Sequence, residues 1–115
     1  MKLAQLHEIC GSFPGATADT PFGPDTVTYR VAGKIYALVP EDPAHVRLNL
    51  KCEPHLATQL REEFPEHILA GYHMNKQHWN TVVTAGLEDA FVIELIEDSY
   101  DLIVAALPRA QRPAD

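Results

Sequence analysis

Cysteine is scarce, with only Cys10 and Cys52 in 115 residues. Each sits in an apolar pattern, so both read as reduced core thiols of a cytoplasmic protein rather than halves of a disulfide framework. Long apolar runs are lacking, and none approaches the ~20 residues that a membrane span requires. The first eight residues, Met1 to Glu8, are broken by polar side chains and do not form a secretory signal. Serine occurs only as Ser12 and Ser99, neither in a G-x-S-x-G elbow. Glycine-rich phosphate loops, CxxC pairs and HExxH spacing are missing too. The expectation is therefore no catalytic constellation, no cofactor and no metal site, and hence a protein that is not an enzyme. Positive charge is also short. Nine Lys and Arg face sixteen Asp and Glu, for a formal net charge of −7. That balance weighs against a general affinity for nucleic acid, where phosphate contacts dominate. The deficit is local, however. Residues 88 to 101 hold Glu88, Asp89, Glu94, Glu97, Asp98 and Asp101 with no Lys or Arg, and the rest is nearly neutral.

The chain has enough apolar material for one domain. Hydrophobic residues make up 46% and charged residues 22%, which are globular values. A chain this long buries roughly two-thirds of its unfolded surface and needs no staple. Leu3, Leu6, Ile9, Cys10 and Phe13 recur at helical spacing, predicting a helix over 2–10 that Gly11 stops. Residues 11–25, with Pro14, Pro21, Pro24, Gly15 and Gly23, read as a long loop anchored by Phe13 and Phe22. Period-2 patterning then predicts three strands, around Val27 to Val31, Lys34 to Val39 and Val46 to Cys52. Ala32-Gly33 is a tight connection between the first two. Glu53-Pro54 opens a second helix with Leu56, Leu60 and Phe64 inside, ended by Pro65. Ile68 to Tyr72 and Trp79 to Thr84 read as two further strands. After Gly86 comes a last helix, with Leu87, Phe91, Leu95, Ser99, Leu102, Ile103 and Ala106 on one face and acids on the other. Pro108 stops it, and 109–115 reads as a frayed tail. The expected fold is a single α+β domain over 1–115. An antiparallel sheet of about five strands carries its helices on one side, in the order α-β-β-β-α-β-β-α.

The run Gly71-Tyr72-His73-Met74-Asn75-Lys76-Gln77-His78-Trp79-Asn80-Thr81-Val82 resembles the signature of the MmcQ/YjbR family. Other pieces match in order: Phe13-Pro14-Gly15, Pro21-Phe22-Gly23, Gly33-Lys34-Ile35-Tyr36-Ala37-Leu38, Leu50-Lys51-Cys52-Glu53-Pro54, Ser99-Tyr100-Asp101-Leu102 and Leu107-Pro108. Arg109 stands where the pattern leads one to expect lysine. The resemblance implies a CyaY-like (frataxin-like) fold, a double-winged DNA-binding mode, and neither enzymatic activity nor a cofactor.

Two constellations carry the expected binding site. Residues 72 to 81 contain Tyr72, His73, Asn75, Lys76, His78, Trp79 and Asn80 and no acid. Such a mixture hydrogen-bonds phosphate or base edges and offers rings for stacking. The alternative is that Trp79 anchors the core while His78 and Asn80 tie down a hairpin. On the three-strand sheet, inward Val46, Leu48 and Leu50 send Arg47, Asn49 and Lys51 outward, joined by Thr28 and Arg30. That face suits a phosphate backbone, or is plainly solvated, with Arg47 pairing to Glu41 or Asp42. The partner expected is DNA, bound weakly and with steep salt dependence. The alternative is a protein partner or small anion at the 72–81 segment. His67, His73 and His78 are close in sequence without a zinc spacing. The acids Glu94, Glu97, Asp98 and Asp101 form either a weak cation attractor or a solvated helix face. Cys52, near His55 at a helix start, is the one conceivable nucleophile, though its inward register argues for an inert thiol.

Overall fold

In the computed structural model, residues 1–71 and 74–113 are described. The element order is α1 (Leu3–Gly11), β1 (Ala16–Asp19), β2 (Thr26–Val31), β3 (Lys34–Pro40), β4 (Arg47–Lys51), α2 (Pro54–Glu63), β5 (Ile68–Ala70), β6 (Trp79–Val83) and α3 (Asp89–Ala106). All strands join one antiparallel sheet in the order β1-β2-β3-β4-β6-β5. The α+β class and the helix-on-sheet layering follow the sequence expectation.

Among the described residues the strand count is six rather than five. Ala16 to Asp19 lie inside the stretch read as loop and pair with Val31 to Thr28. Ala-Thr-Ala-Asp alternates only small alanines with polar residues, so its pairing rests on the neighbouring strand. Short and ending on a carboxylate, it is the kind of edge that resists further strand addition. Phe13 does anchor the preceding turn. Its ring stacks on Tyr100 at 4.8 Å, and the Tyr100 hydroxyl donates to the Pro14 carbonyl at 2.5 Å. Phe22 does not anchor anything in the core, being 67% exposed.

Helix ends follow local chemistry. The Glu53 carboxylate accepts from the His55 and Leu56 amides at 3.4 and 3.2 Å, with Pro54 at the first helical position. At the β2–β3 turn, Ala32 and Gly33 both take positive φ, 48° and 79°, the conformation that a two-residue hairpin demands. Residues 109–112 are structured rather than frayed. Residues Arg109–Gln111 form a short 3-10 turn, and Arg112 donates to the Leu107 and Ala105 carbonyls at 3.1 Å each.

One core binds the layers. Leu6 and Cys10 from α1, Ala57 and Leu60 from α2, and Ile96, Tyr100 and Ile103 from α3 meet the inward residues Val39, Leu48, Leu50, Ile68 and Val82. β3 contributes doubly, through a bulge. Tyr29 pairs with Ala37 and Arg30 with Ile35, so Tyr36 is an extra residue, and both Tyr36 and Ala37 are fully buried. Ser99, the polar member of the α3 stripe, is also fully buried. Its hydroxyl donates to the Tyr36 carbonyl at 2.6 Å and accepts the Lys51 amide at 2.9 Å. A single Oγ thus fastens α3 to β3 and β4.

Because α1, α2 and α3 share that core, the opposite face of the sheet carries no helix among the described residues. The carboxylates of α3 therefore lie on the far side of the sheet from this open face.

Candidate functional site

The open face is built by register. Residues directly opposite in antiparallel strands share a face, and β4 and β6 are neighbours. Lys51 stands beside Trp79, Asn49 beside Thr81, and Arg47 beside Val83. The Thr81 hydroxyl donates to Asn49 Oδ1 at 2.5 Å. On the β3 side, Leu38 is opposite Asn49, and Thr28 is opposite Leu38. This part of the face is not wet as its alternation predicts, since Thr28 is 0% and Leu38 7% exposed. The β1–β2 loop stands over it, with Phe22 and Asp25 forming one wall of a cleft of about 570 Å3. Met74 stands at its margin, Ile35, Leu38 and Pro40 supply apolar surface, and Arg47, Asn49 and Thr81 supply polar groups. The size and mixed lining are those of small-ligand clefts.

The turn after β5 has a different task for each residue. Asn75 Oδ1 accepts the Gln77 amide at 2.9 Å, and its carbonyl accepts the His78 and Trp79 amides. Asn75 is thus a turn former. Asn80 is 2% exposed, donates to the Ala57 carbonyl at 3.4 Å and accepts from Arg61 at 2.8 Å. Its side chain is committed to the interior. The same Arg61 nitrogen bonds the Lys76 carbonyl at 2.9 Å, so α2 clamps this turn to the sheet. Nothing in the local pattern of α2 marks Arg61 for that duty, because its acceptors are fifteen and nineteen residues away. Lys76 is exposed and His78 and Trp79 are half-buried. Tyr72 and His73 lie outside the described residues.

The cations divide into two kinds. Arg30 donates to Asp19 Oδ1 at 3.3 Å and to the Gly33 carbonyl at 3.1 Å. Arg47 donates to Asp42 Oδ2 at 3.1 Å and to the His45 carbonyl at 2.9 Å, and that hydrogen bond holds the Asp42 carboxyl below the ordinary range. Lys51 and Lys76 have no ion pair among the described residues. On the far side, burial together with the neighbouring Glu94, Asp101 and Glu97 pushes the Asp98 carboxyl up. A raised folded-state value favours folding while the group is protonated and is lost as pH rises through it. Asp98→Asn should therefore raise Tm near neutral pH, with the gain vanishing below the ordinary value of 3.8. An unchanged Tm at pH 7 would contradict that.

The thiols are poor nucleophiles. Cys10 is fully buried, which pushes its thiol up to about 12, and Cys52 is 8% exposed and pushed up to about 11, first by burial. Neither should react with a thiol reagent at neutral pH until the chain unfolds, when both should. Rapid labelling of native Cys52 would overturn this. Among the described residues no three His, Cys, Asp or Glu side chains gather as a metal site. A Glu41–His7–Tyr29 chain, which sequence reading missed, links β2 and the residue after β3 to α1 at 2.6 and 2.7 Å. Among the described residues no helix is long and apolar enough to cross a membrane.

Residues 11–102 match the YjbR family. The chain belongs to the YjbR family. It is 36% identical to the protein YbdF of Escherichia coli O157:H7, over 95% of this chain and 93% of that one. It is 30% identical to the protein YjbR of Escherichia coli K12, over 97% and 95%. The crystal structure of Deinococcus radiodurans protein DR2400, a DUF419 domain, superposes with a TM-score of 0.86 at 32% identity, covering 96% of this chain and 84% of that one. A Pseudomonas syringae protein gives 0.72 at 28% identity, over 89% and 98%. This YjbR domain thus shares the fold of both solved structures over most of its length.

Proposed function

We propose that this YjbR domain is a non-enzymatic binding module that takes single-stranded nucleic acid, DNA first, along the open face of its sheet. The observation that carries the reading is the pairing of Lys51 with Trp79 on the helix-free face, with exposed Lys76 on the turn that leads into β6. An aromatic ring accepts a stacked base of any identity, and adjacent lysines meet its phosphates. The acidic helix α3 lies behind the sheet, so its five carboxylates do not fall on this face, where Asp25 of the β1–β2 loop stands. Arg30 and Arg47 are already engaged by carboxylates, so they contribute less than their charge suggests.

Fluorescence anisotropy with short single- and double-stranded DNA at two salt concentrations tests this. Weak, saturable binding that prefers the single strand and falls with salt is expected. Each of Lys51→Ala and Lys76→Ala should flatten the log–log salt slope by roughly 0.7. Trp79→Leu should weaken binding by about 1–3 kcal/mol. No binding at low salt, or binding indifferent to salt, would defeat the reading. A second reading, a protein-interaction or small-anion site on the same segment, draws on the fact that only Lys51 and Lys76 remain unpaired among these four cations. It predicts a Lys76→Ala defect in capture of that partner without any DNA affinity.

A further inference from the structure

The helix side of the sheet has a groove of its own. α2 and α3 run in opposite directions and meet at one end, where the Phe64 and Phe91 rings lie 5.0 Å apart. At the other end, the start of α2 faces the last turns of α3 across a cleft of about 410 Å3. Leu56, Leu102 and Ala105 give it apolar walls, and none of the three is buried. Apolar surface left in water on two facing helices gains by being covered. The charged part of the lining has one sign, with Glu53, Asp98 and Asp101 and no Lys or Arg. The Glu53 carboxylate is engaged by the first amides of α2. Asp98 and Asp101 have no ion pair among the described residues. Burial and the neighbouring Glu94, Asp101 and Glu97 push the Asp98 carboxyl up. These acids repel one another, so a cation set among them exchanges repulsion for attraction. Arg112, at the end of α3, is turned to the Leu107 and Ala105 carbonyls.

We propose that this groove docks a basic amphipathic helix of a partner protein. The partner's apolar ridge packs on Leu56, Leu102 and Ala105, and its lysines or arginines meet Asp98 and Asp101. A helix is the shape that fits, because the ridge of one helix seats between two others and its backbone bonds are already made. Among the described residues the groove has no strand edge that would pair an extended chain. The acids set the sign of the partner, and the apolar walls require more of it than charge. The groove lies on the opposite side of the sheet from Lys51 and Trp79, so its occupancy is independent of strand binding.

The test is a fluorescence-anisotropy titration of the full chain with a labelled helical peptide of about 14 residues, four turns, bearing leucines along one face and lysines beside them. Two further peptides serve as comparisons, one with glutamates for the lysines and one with serines for the leucines. The leucine–lysine peptide should bind saturably and the glutamate peptide should not. The serine peptide should bind at least about tenfold more weakly, the size of one leucine withdrawn from an apolar site. Ala105→Trp, at an exposed position, fills the groove and should also cost about tenfold. Asp101→Lys should cost about fivefold more than Glu97→Lys, which changes the net charge equally from outside the lining. No binding of the leucine–lysine peptide at low salt, equal losses in Asp101→Lys and Glu97→Lys, or unchanged affinity in Ala105→Trp would overturn the proposal. So would a wild-type dimer in sedimentation that Ala105→Trp dissolves, since the occupant would then be a second copy of this chain.

Discussion

Tyr36→Ala should destabilise the fold more than any other single truncation considered. The side chain is fully buried, its ring meets Tyr100 edge-on at 5.2 Å and Phe13 at 5.9 Å, and its hydroxyl donates to the Cys10 carbonyl at 2.5 Å. Removing a buried aromatic ring costs about 3–5 kcal/mol. Leaving the Cys10 carbonyl without its donor adds about 1–3 kcal/mol. A small domain has only about 5–15 kcal/mol in total, so urea unfolding should find the midpoint lowered by a large fraction of its wild-type value. Tyr36→Phe keeps the ring and isolates the hydrogen bond, and should lose only the smaller increment. A Tyr36→Ala protein within about 1 kcal/mol of the wild type would mean that the β3 bulge does not seat this ring in the core, since even the low end of the cavity cost exceeds that.

Arg61→Ala should have the second-largest effect, and a more local one. The guanidinium donates to Asn80 Oδ1, the Lys76 carbonyl and Thr58 Oγ1 at 2.8, 2.9 and 3.4 Å. Asn80 is nearly inaccessible, so its acceptor cannot turn to water when the arginine goes. A hydrogen bond from a charged donor is worth about 1.5–3 kcal/mol, and that is the loss expected at Asn80. The second consequence is loosening of the turn that carries Lys76. Amide exchange at His78 and Trp79, both bonded to the Asn75 carbonyl, should accelerate ahead of global unfolding. If the proposed strand binding holds, affinity for DNA should weaken although Lys51, Lys76 and Trp79 are unchanged. Arg61→Lys should not rescue either readout, because a single ammonium cannot span three acceptors as a planar fork does. Wild-type exchange rates in Arg61→Ala would show that the turn holds itself.

The expected site was partly legible. The alternation of Arg47, Asn49 and Lys51 with Val46, Leu48 and Leu50 announced an outward row, and β4 bears it out. The 72–81 run announced a polar hairpin, and the turn over 74–78 is built from it. The same local reading could not sort those residues by task. Asn75 and Asn80 look as available as Lys76 in sequence, yet one shapes the turn and the other is buried against α2. Arg30 and Arg47 look like free cations until Asp19 and Asp42 arrive beside them.

What the amino-acid order settled by itself was whatever depends on near neighbours. The 3.6-residue period made the helices, the two-residue period made β2, β3, β4 and β6, Glu53-Pro54 began α2, and Ala32-Gly33 turned the chain. Tertiary structure decided the rest. It recruited Ala16 to Asp19 into the sheet, left Phe22 at a cleft instead of in the core, inserted Tyr36 as a bulge, set Lys51 beside Trp79, and reached Arg61 across to the turn. Each of those depends on a partner distant in sequence, whose pairing or desolvation energy exists only once the chain has closed on itself.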